Sequence, residues 1–310
     1  MQINSQRSSE KLASSEHHVS VLLQEVLDGL QITKNSVVVD ATVGGAGHLK
    51  EFSKLLSKKG TLIGIDADPE ALTRAEEALS DAKPTVVLIP GNFRDIRDHL
   101  ESRDIPQITH ALFDLGWSGF QLTVGRGFSF LTEEPLLMTY GIPEEETLTA
   151  KDLINSLDED KIADIIFAYG EERFARRIAK SIVETRSEKD IETTSELAAI
   201  VKRSVPAWYR HRKTHPATKT FQALRIAVND ELEALRDGLK GAIHLLAPGG
   251  RVAVITFHSI EDRIVKRFFE GLQREGVGVP LTKKPIPPTE EEVKENPRAR
   301  SAKLRVFVKS

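Results

Sequence analysis

An apolar, β-branched run that ends in Asp40 leads directly into a turn containing Gly44, Gly45 and Gly47. Glycine adopts positive φ angles without a steric penalty and lets the backbone approach a ligand closely. In open α/β sheets, ligands bind beyond the carboxyl ends of the strands, where such turns lie. The turn therefore predicts an α/β fold whose first strand ends at a ligand site.

Apolar runs typical of strands alternate with amphipathic helical segments over the first third of the chain. We predict strands at residues 37–42, 61–66, 85–89 and 111–114, separated by helices at 47–58, 69–80 and 93–101. Alternation of this kind is typical of a parallel sheet that helices cover on both faces. The expected fold class is an α/β, Rossmann-like sheet.

The alternation stops at about Gly125 and resumes after residue 216. Between them we predict helices at 148–156, 158–169, 173–185 and 194–205, the last one starting at Thr193 or Thr194. After them we predict one long helix at 217–246, a strand at 251–257, a helix at 260–274, a loop at 283–300 and a strand at 303–308. We therefore expect an inserted all-helical domain at 125–215 between two parts of the sheet domain, 1–124 and 216–310.

The composition excludes several classes of protein. The chain has 310 residues and no cysteine, which excludes disulfides and cysteine-ligated zinc; we expect no metal site. It also excludes methylation of a pyrimidine at carbon 5 by the usual route, which needs a Cys nucleophile to activate the ring. No apolar run approaches the roughly 20 residues of a membrane span, and the segment Met1–Glu16 has no hydrophobic signal region. We expect a cytoplasmic protein without a membrane partner, either a monomer or a homodimer.

The glycine turn is an incomplete dinucleotide fingerprint, because Lys50 stands where the third glycine of Gly-x-Gly-x-x-Gly would be. This disfavours an NAD-dependent oxidoreductase and favours a nucleoside without pyrophosphate, of which S-adenosylmethionine is the commonest. Asp66 is placed to accept hydrogen bonds from both ribose hydroxyls, Phe93 to pack on the adenine, and Asp114 to lie beside the methionine end. A single aspartate after a strand is more often a helix cap, but such residues at successive strand ends together predict an S-adenosylmethionine site.

The net charge is −3, but the basic residues are concentrated in two zones. Residues 197–229 contain seven Lys or Arg and no Asp or Glu, and residues 294–310 are also basic. Such concentrations are typical of phosphate contacts, although a solvated helix face explains them equally well. Trp208 and Tyr209 lie among these charges and either stack on exposed bases or pack in the core. The candidate RNA contacts are Arg210, Arg212, Lys213, Lys219, Arg225, Arg298 and Arg300.

Long motifs along nearly the whole chain are similar to those of one enzyme family. They are residues 18–23, 40–48, 114–116, 126–130, 169–174, 215–218, 221–231, 257–263 and 296–301. Among them, Phe257–Arg263 and Asn296–Ser301 are the most distinctive. On these motifs the chain resembles the bacterial 16S rRNA (cytosine-N4)-methyltransferases, the RsmH or MraW family.

The resemblance implies a class I methyltransferase sheet with an inserted helical domain and S-adenosylmethionine as the cofactor. It implies methyl transfer to the N4 amine of a cytidine in the decoding region of 16S rRNA, within the small ribosomal subunit. The family's cofactor contacts correspond to Ala46, Gly47, His48, Asp66, Phe93, Asp114 and Gln121, and the turn adds Gly44 and Gly45.

The N4 amine is a weak nucleophile because its lone pair is delocalised into the ring. An enzyme must therefore flip the base out, position it and offer acceptors to the amine protons. We expect the Asp114 carboxylate and the two backbone carbonyls that follow it to be these acceptors. Trp117 is either a stacking platform or a lid over the cofactor. Asn229 and His258 are candidates for the base pocket, with a purely structural role as the alternative for His258.

Two segments depart from the family pattern. Trp117 and Gly119 replace the Val and the second Ser of Asp-Leu-Gly-Val-Ser-Ser. Leu137 and Gly141 stand where the family's Gly-Pro-Leu-Asp-Met-Arg-Met-Asp has its aspartates. These losses leave two hypotheses, a divergent enzyme with the same function and a non-catalytic assembly factor that binds S-adenosylmethionine and RNA. A DNA cytosine-N4 methyltransferase lacks support, because the Ser/Asp-Pro-Pro-Tyr motif of that class is absent.

Overall fold

The computed structural model describes residues 20–115, 125–141, 143 and 146–310. Its strands are β1 (Val37–Asp40), β2 (Thr61–Asp66), β3 (Thr85–Pro90), β4 (Ile108–Asp114), β5 (Leu246–Thr256), β6 (Gly278–Pro280) and β7 (Lys303–Lys309). They form one sheet in the order β3-β2-β1-β4-β5-β7-β6. Strands β1 to β5 are parallel, and β7 is antiparallel to both of its neighbours. The strand order reverses between β1 and β4, which opens a crevice at their carboxyl ends.

Helices connect the strands and cover the sheet. They are α1 (Leu23–Leu30), α2 (Gly47–Leu55), α3 (Pro69–Ala78), α4 (Ile96–Glu101), α5 (Ala150–Ser156), α6 (Glu159–Gly170), α7 (Ala175–Arg186), α8 (Thr194–Ser204), α9 (Ala207–Arg210), α10 (Thr218–Asn229), α11 (Glu231–Leu245), α12 (Ser259–Arg274) and α13 (Glu290–Glu295). Short 3₁₀ turns lie at Phe93–Asp95 and Pro297–Ser301. In the described part of the chain, no helix combines the length and the apolar character that crossing a bilayer requires.

The two faces of the sheet have separate apolar cores, because successive strand residues point to opposite faces. Val39 and Phe113 lie on one face and pack with residues of α4, α11 and α12. Val38 and Leu112, their neighbours in sequence, lie on the other face and pack with residues of α1, α2 and α3. This doubly covered sheet confirms the predicted α/β class.

Helices α5 to α10 form a helical layer with a core of its own. Residues from α5, α6, α7 and α8 join Phe128, Leu136 and Met138 in one buried cluster. Helix α10 belongs to the same cluster through Phe221 and Leu224. The predicted start of α8 is confirmed at Thr193, whose hydroxyl accepts the Glu196 amide in a reciprocal capping box.

The structure corrects three sequence predictions. The single helix predicted at 217–246 is two helices, because Asp230 has a φ of 47° and ends α10 before α11 begins. The loop predicted at 283–300 contains α13, capped by Thr289, and most of the second 3₁₀ turn. Helix α1 and the short edge strand β6 were not predicted, since a segment of three residues carries little periodicity.

Candidate active site

An open cleft of about 830 Å³ lies at the carboxyl ends of the parallel strands. Its volume is in the range of small-molecule sites. The sheet side contributes Ala41, Thr42, Gly44, Asp66, Ala67, Gly91, Asn92, Phe93, Asp114 and Leu115. The opposite side contributes Tyr140, Asn229, Glu231, Ala234, Leu235 and Glu261. The cleft therefore joins the loops of the sheet to the helical layer.

Asp66 at the end of β2 is held in place by two backbone amides. Its Oδ2 accepts a hydrogen bond from the Gly44 amide at 2.8 Å, and its Oδ1 accepts one from the Asp68 amide at 2.8 Å. Burial raises the pKa of Asp66, although both amides oppose the shift. Each carboxylate oxygen can accept a further hydrogen bond, so the group fits the paired hydroxyls of a ribose.

Phe93 forms an apolar wall of the cleft next to Asp66. Its ring packs edge-on against Phe113, with the ring centres 5.7 Å apart and the planes at 90°. Gly238 of α11 lies so close that a Cβ atom there would be 2.8 Å from the Phe93 ring. The side chain of Asn92 accepts the Arg94 amide at 2.9 Å and fixes the turn. A ring held in this way fits a flat adenine.

Asp114 and the end of β1 are joined by a short chain of hydrogen bonds. The Asp114 amide donates to Thr42 Oγ1 at 2.7 Å, and the Thr42 amide donates to Asp40 Oδ1 at 3.1 Å. Burial raises the pKa of Asp40 well above its usual value. Sequence reasoning missed Thr42 as a site residue; the available signal was a hydroxyl two residues after a strand-ending aspartate.

His48 lies beneath the turn as a neutral imidazole. Its Nε2 is 3.1 Å from the Val21 carbonyl oxygen, to which a neutral ring donates. Its Nδ1 is 3.7 Å from Asp114 Oδ2, which is longer than a hydrogen bond. Burial lowers the pKa of His48 to about 4, so the ring carries no charge at neutral pH and supports Asp114 by packing.

Lowering the pH from 7 to 5 is expected to destabilise the fold through two histidines. Burial lowers the pKa of His48 and of His110 to about 4, whereas an unfolded histidine titrates near pH 6.5. Between these values the unfolded chain binds more protons, so the free energy of unfolding falls by about 2 kcal/mol per histidine at pH 5. Denaturant titration at both pH values measures this loss. His48→Gln should lose less stability than the wild type, and equal losses would contradict the assignment.

The remaining residues of the glycine turn shape the cleft from behind. Among the described residues, Gly44 is the member of the turn that lines the cleft, whereas Gly45, Ala46, Gly47 and His48 do not. Ala46 has a φ of 59° and precedes the first residue of α2. Their contact with a cofactor stays a prediction. Trp117 and Gln121 lie outside the described residues.

The predicted base-pocket residues have different positions. Asn229 lines the cleft, but its side chain is occupied: Oδ1 accepts the Tyr140 amide at 3.0 Å, and Nδ2 donates to the carbonyls of Met138 and Arg225 at 2.7 and 2.9 Å. His258 does not line the cleft; its Nδ1 accepts the Glu261 amide at 3.3 Å and caps α12. For His258, the geometry therefore corresponds to the structural alternative.

The predicted RNA contacts separate into exposed and engaged residues. Arg225 needs correction: it is 4% exposed, and its Nε lies 2.6 Å from Glu231 Oε1, so it is not available to a phosphate. Lys219 Nζ donates to the Glu171 carbonyl at 2.7 Å, and Arg210 Nε donates to the Val205 carbonyl at 3.0 Å. The exposed members of the set are Arg210, Arg212, Lys213, Arg298 and Arg300.

A sheet whose last strand is antiparallel, with an acid and an aromatic ring placed for a nucleoside, defines a class I S-adenosylmethionine-dependent methyltransferase. The family model of the MraW methylases matches residues 15–310. The chain belongs to that family, and S-adenosylmethionine is its cofactor.

Close relatives match along almost their whole length. A protein of Deinococcus radiodurans named ribosomal RNA small subunit methyltransferase H is 50% identical over 303 residues, which cover 97% of this chain and 93% of the relative. A protein of Brevibacillus brevis with the same name is 45% identical over 309 residues, covering 94% of this chain and 98% of the relative. One of Persephonella marina is 50% identical over 289 residues, covering 93% and 98%.

Proposed function

We propose that this enzyme methylates the N4 amine of a cytidine in 16S rRNA, within the small ribosomal subunit in the cytoplasm. The observation that carries the proposal is the full-length similarity to relatives named ribosomal RNA small subunit methyltransferase H. The similarity includes both the sheet and the helical layer, so the layer is proposed to recognise the RNA. Transfer of tritium from labelled cofactor to 30S subunits tests the proposal, and no transfer would favour a binding protein without activity.

The residues of the cleft suit a weak amine nucleophile. When bound, S-adenosylmethionine supplies a sulfonium methyl group, whose bond to sulfur breaks as the amine lone pair forms the new N–C bond. The Asp114 carboxylate orients the amine and accepts the proton that it gives up. The Leu115 carbonyl is a further acceptor in the same wall. Because Cys is absent from the chain, the route needs no covalent adduct with the base.

An exposed cluster of aromatic and arginine side chains supports RNA recognition by the helical layer. The Trp208 side chain is 52% exposed. The guanidinium groups of Arg173 and Arg212 each lie 5.4 Å from the centre of its ring. Phe174 packs edge-on against Trp208 at 6.0 Å. Aromatic rings combined with arginines are typical of surfaces that stack unpaired bases, and sequence reasoning missed Arg173 because it lies outside the basic zone.

Charge reversal at Arg212 and Lys213 is expected to weaken binding to 30S subunits by about 10-fold or more at moderate salt. Each lost phosphate contact removes one released counterion, so the salt dependence of binding should become shallower by about one to two units of log–log slope. Fluorescence anisotropy with labelled subunits at several salt concentrations measures both effects.

The matched control reverses Lys58 and Lys59, an exposed pair directly before β2. These lysines lie at the amino end of the strand, on the edge of the sheet opposite the cleft. The control should bind like the wild type. If Arg212→Glu with Lys213→Glu also binds like the wild type, this part of the helical layer is a solvated surface.

A further inference from the structure

We propose that the Tyr140 hydroxyl is a hydrogen-bond acceptor for the target amine, held in position by Glu231 and Arg225. The proposal rests on the proposed function, because it assigns a further residue to the same cleft. Tyr140 and Glu231 both line the cleft on the side that faces Asp114 and Leu115. A base that enters between the two walls meets acceptors from both of them.

Tyr140 is fixed at four points. Its ring stacks on Phe128, with the ring centres 5.9 Å apart and the planes at 18°. Its amide donates to Asn229 Oδ1 at 3.0 Å, and its carbonyl accepts from Arg126 Nη1. Its hydroxyl donates to Glu231 Oε1 at 2.7 Å. A side chain held by its ring, backbone and hydroxyl presents one fixed geometry to a ligand.

The direction of the hydroxyl bond determines what Tyr140 can recognise. A carboxylate can only accept, so the single hydroxyl proton is directed at Glu231 and the oxygen keeps only lone pairs for the cleft. The amine of cytosine is a donor, whereas uracil carries a carbonyl oxygen at the same ring position. A fixed acceptor therefore favours cytosine over uracil, because the carbonyl would face a lone pair.

Arg225 keeps this arrangement ionised and neutral overall. Its Nε lies 2.6 Å from Glu231 Oε1 and its Nη2 donates to Glu231 Oε2 at 2.8 Å, and both side chains are largely buried. Burial raises the pKa of Tyr140 well above its usual value, and the charge of Glu231 adds to the rise. The hydroxyl thus stays protonated, and the amine proton goes to Asp114 rather than to Tyr140.

A metal ion is the competing explanation for this cluster. Glu231, His258 and Glu261 each have a ligand-type atom, and these atoms lie within 4.8 Å of one another. Glu231 already accepts hydrogen bonds from Arg225 and Tyr140, and the guanidinium supplies the positive charge that the carboxylates need. The cluster therefore works as a side-chain support rather than as a cation site.

Tyr140 lies in the segment 134–141, in which Leu137 and Gly141 replace the aspartates of the family pattern. The segment reaches the cleft through the Tyr140 side chain. In this chain it can offer the amine a neutral hydroxyl that a buried ion pair holds in place.

The test is Tyr140→Phe, which keeps the ring on Phe128 and removes only the hydroxyl. We expect the single-turnover rate of methyl transfer to 30S subunits to fall by about 10- to 100-fold, in line with the loss of one preorganised hydrogen bond at a reacting group. The KM for subunits, the Kd for S-adenosylmethionine and the melting temperature should stay close to those of the wild type. The matched control is Tyr169→Phe on α6, which removes a hydroxyl from a residue that does not line the cleft.

The outcomes separate this proposal from the proposed function. If wild-type enzyme forms N4-methylcytidine and Tyr140→Phe forms it at the wild-type rate, the hydroxyl role is wrong and the function stands. A parallel loss of rate, cofactor affinity and melting temperature would mean that the hydroxyl only supports the fold, and would also overturn the role. If wild-type enzyme forms no N4-methylcytidine, it is the proposed function that fails.

Discussion

Asp114→Asn is expected to lower the rate of methyl transfer to 30S subunits by at least about 100-fold, the usual size of a lost general base. The asparagine keeps the shape of the side chain and the backbone bond to Thr42, but it cannot take the proton of the amine. Single-turnover transfer of tritium from labelled cofactor measures the rate. The melting temperature should change little, since the substitution preserves volume at a half-buried position.

The control for this variant is Asp104→Asn, an exposed residue in the turn before β4. The same change is thus made at both ends of one strand, and only the end at the cleft should respond. Wild-type turnover in Asp114→Asn would remove Asp114 from the chemistry. The acceptors would then have to come from the backbone carbonyls and Tyr140.

Asp66→Ala is expected to raise the Kd for S-adenosylmethionine by about 100-fold or more. Two hydrogen bonds from ribose hydroxyls to a carboxylate contribute about 1.5–3 kcal/mol each, and 1.4 kcal/mol corresponds to a factor of ten. The variant also releases the amides of Gly44 and Asp68, so the turn loses its support. Isothermal titration calorimetry with the cofactor measures the affinity.

The matched control is Asp81→Ala, an exposed aspartate outside the cleft, which should bind the cofactor like the wild type. Asp66→Asn should give an intermediate affinity, because its amide oxygen still accepts one hydrogen bond. A Kd for Asp66→Ala within about twofold of the wild type would show that the ribose is held elsewhere in the cleft.

The sheet and its cofactor end could be predicted because local patterns determine them. The β-branched runs before Asp40 and Asp66 form buried parallel strands, and such strands carry a strong apolar signal without help from distant residues. The glycine turn and the strand-ending aspartates then locate the ligand, because the carboxyl ends of parallel strands meet at one edge.

The acceptor end of the cleft could not be predicted in the same way. Arg225 lies in a basic stretch of sequence, and its burial depends on Glu231, which follows the break at Asp230. Periodicity continues through that break, since the apolar positions of α10 and α11 remain in register with one long helix. Tyr140 reaches the site from a segment without regular structure, through Asn229 and Phe128, and such long-range contacts leave no local pattern.

Nucleoside analysis by mass spectrometry tests the central claim most directly. Small subunits that lack the modification are incubated with the enzyme and S-adenosylmethionine, and their rRNA is digested to nucleosides. The account predicts N4-methylcytidine, at about one residue per subunit, and its absence from a parallel reaction with Asp114→Asn. Methylation at another atom of the base, or no methylated cytidine with folded, cofactor-bound enzyme, would contradict it.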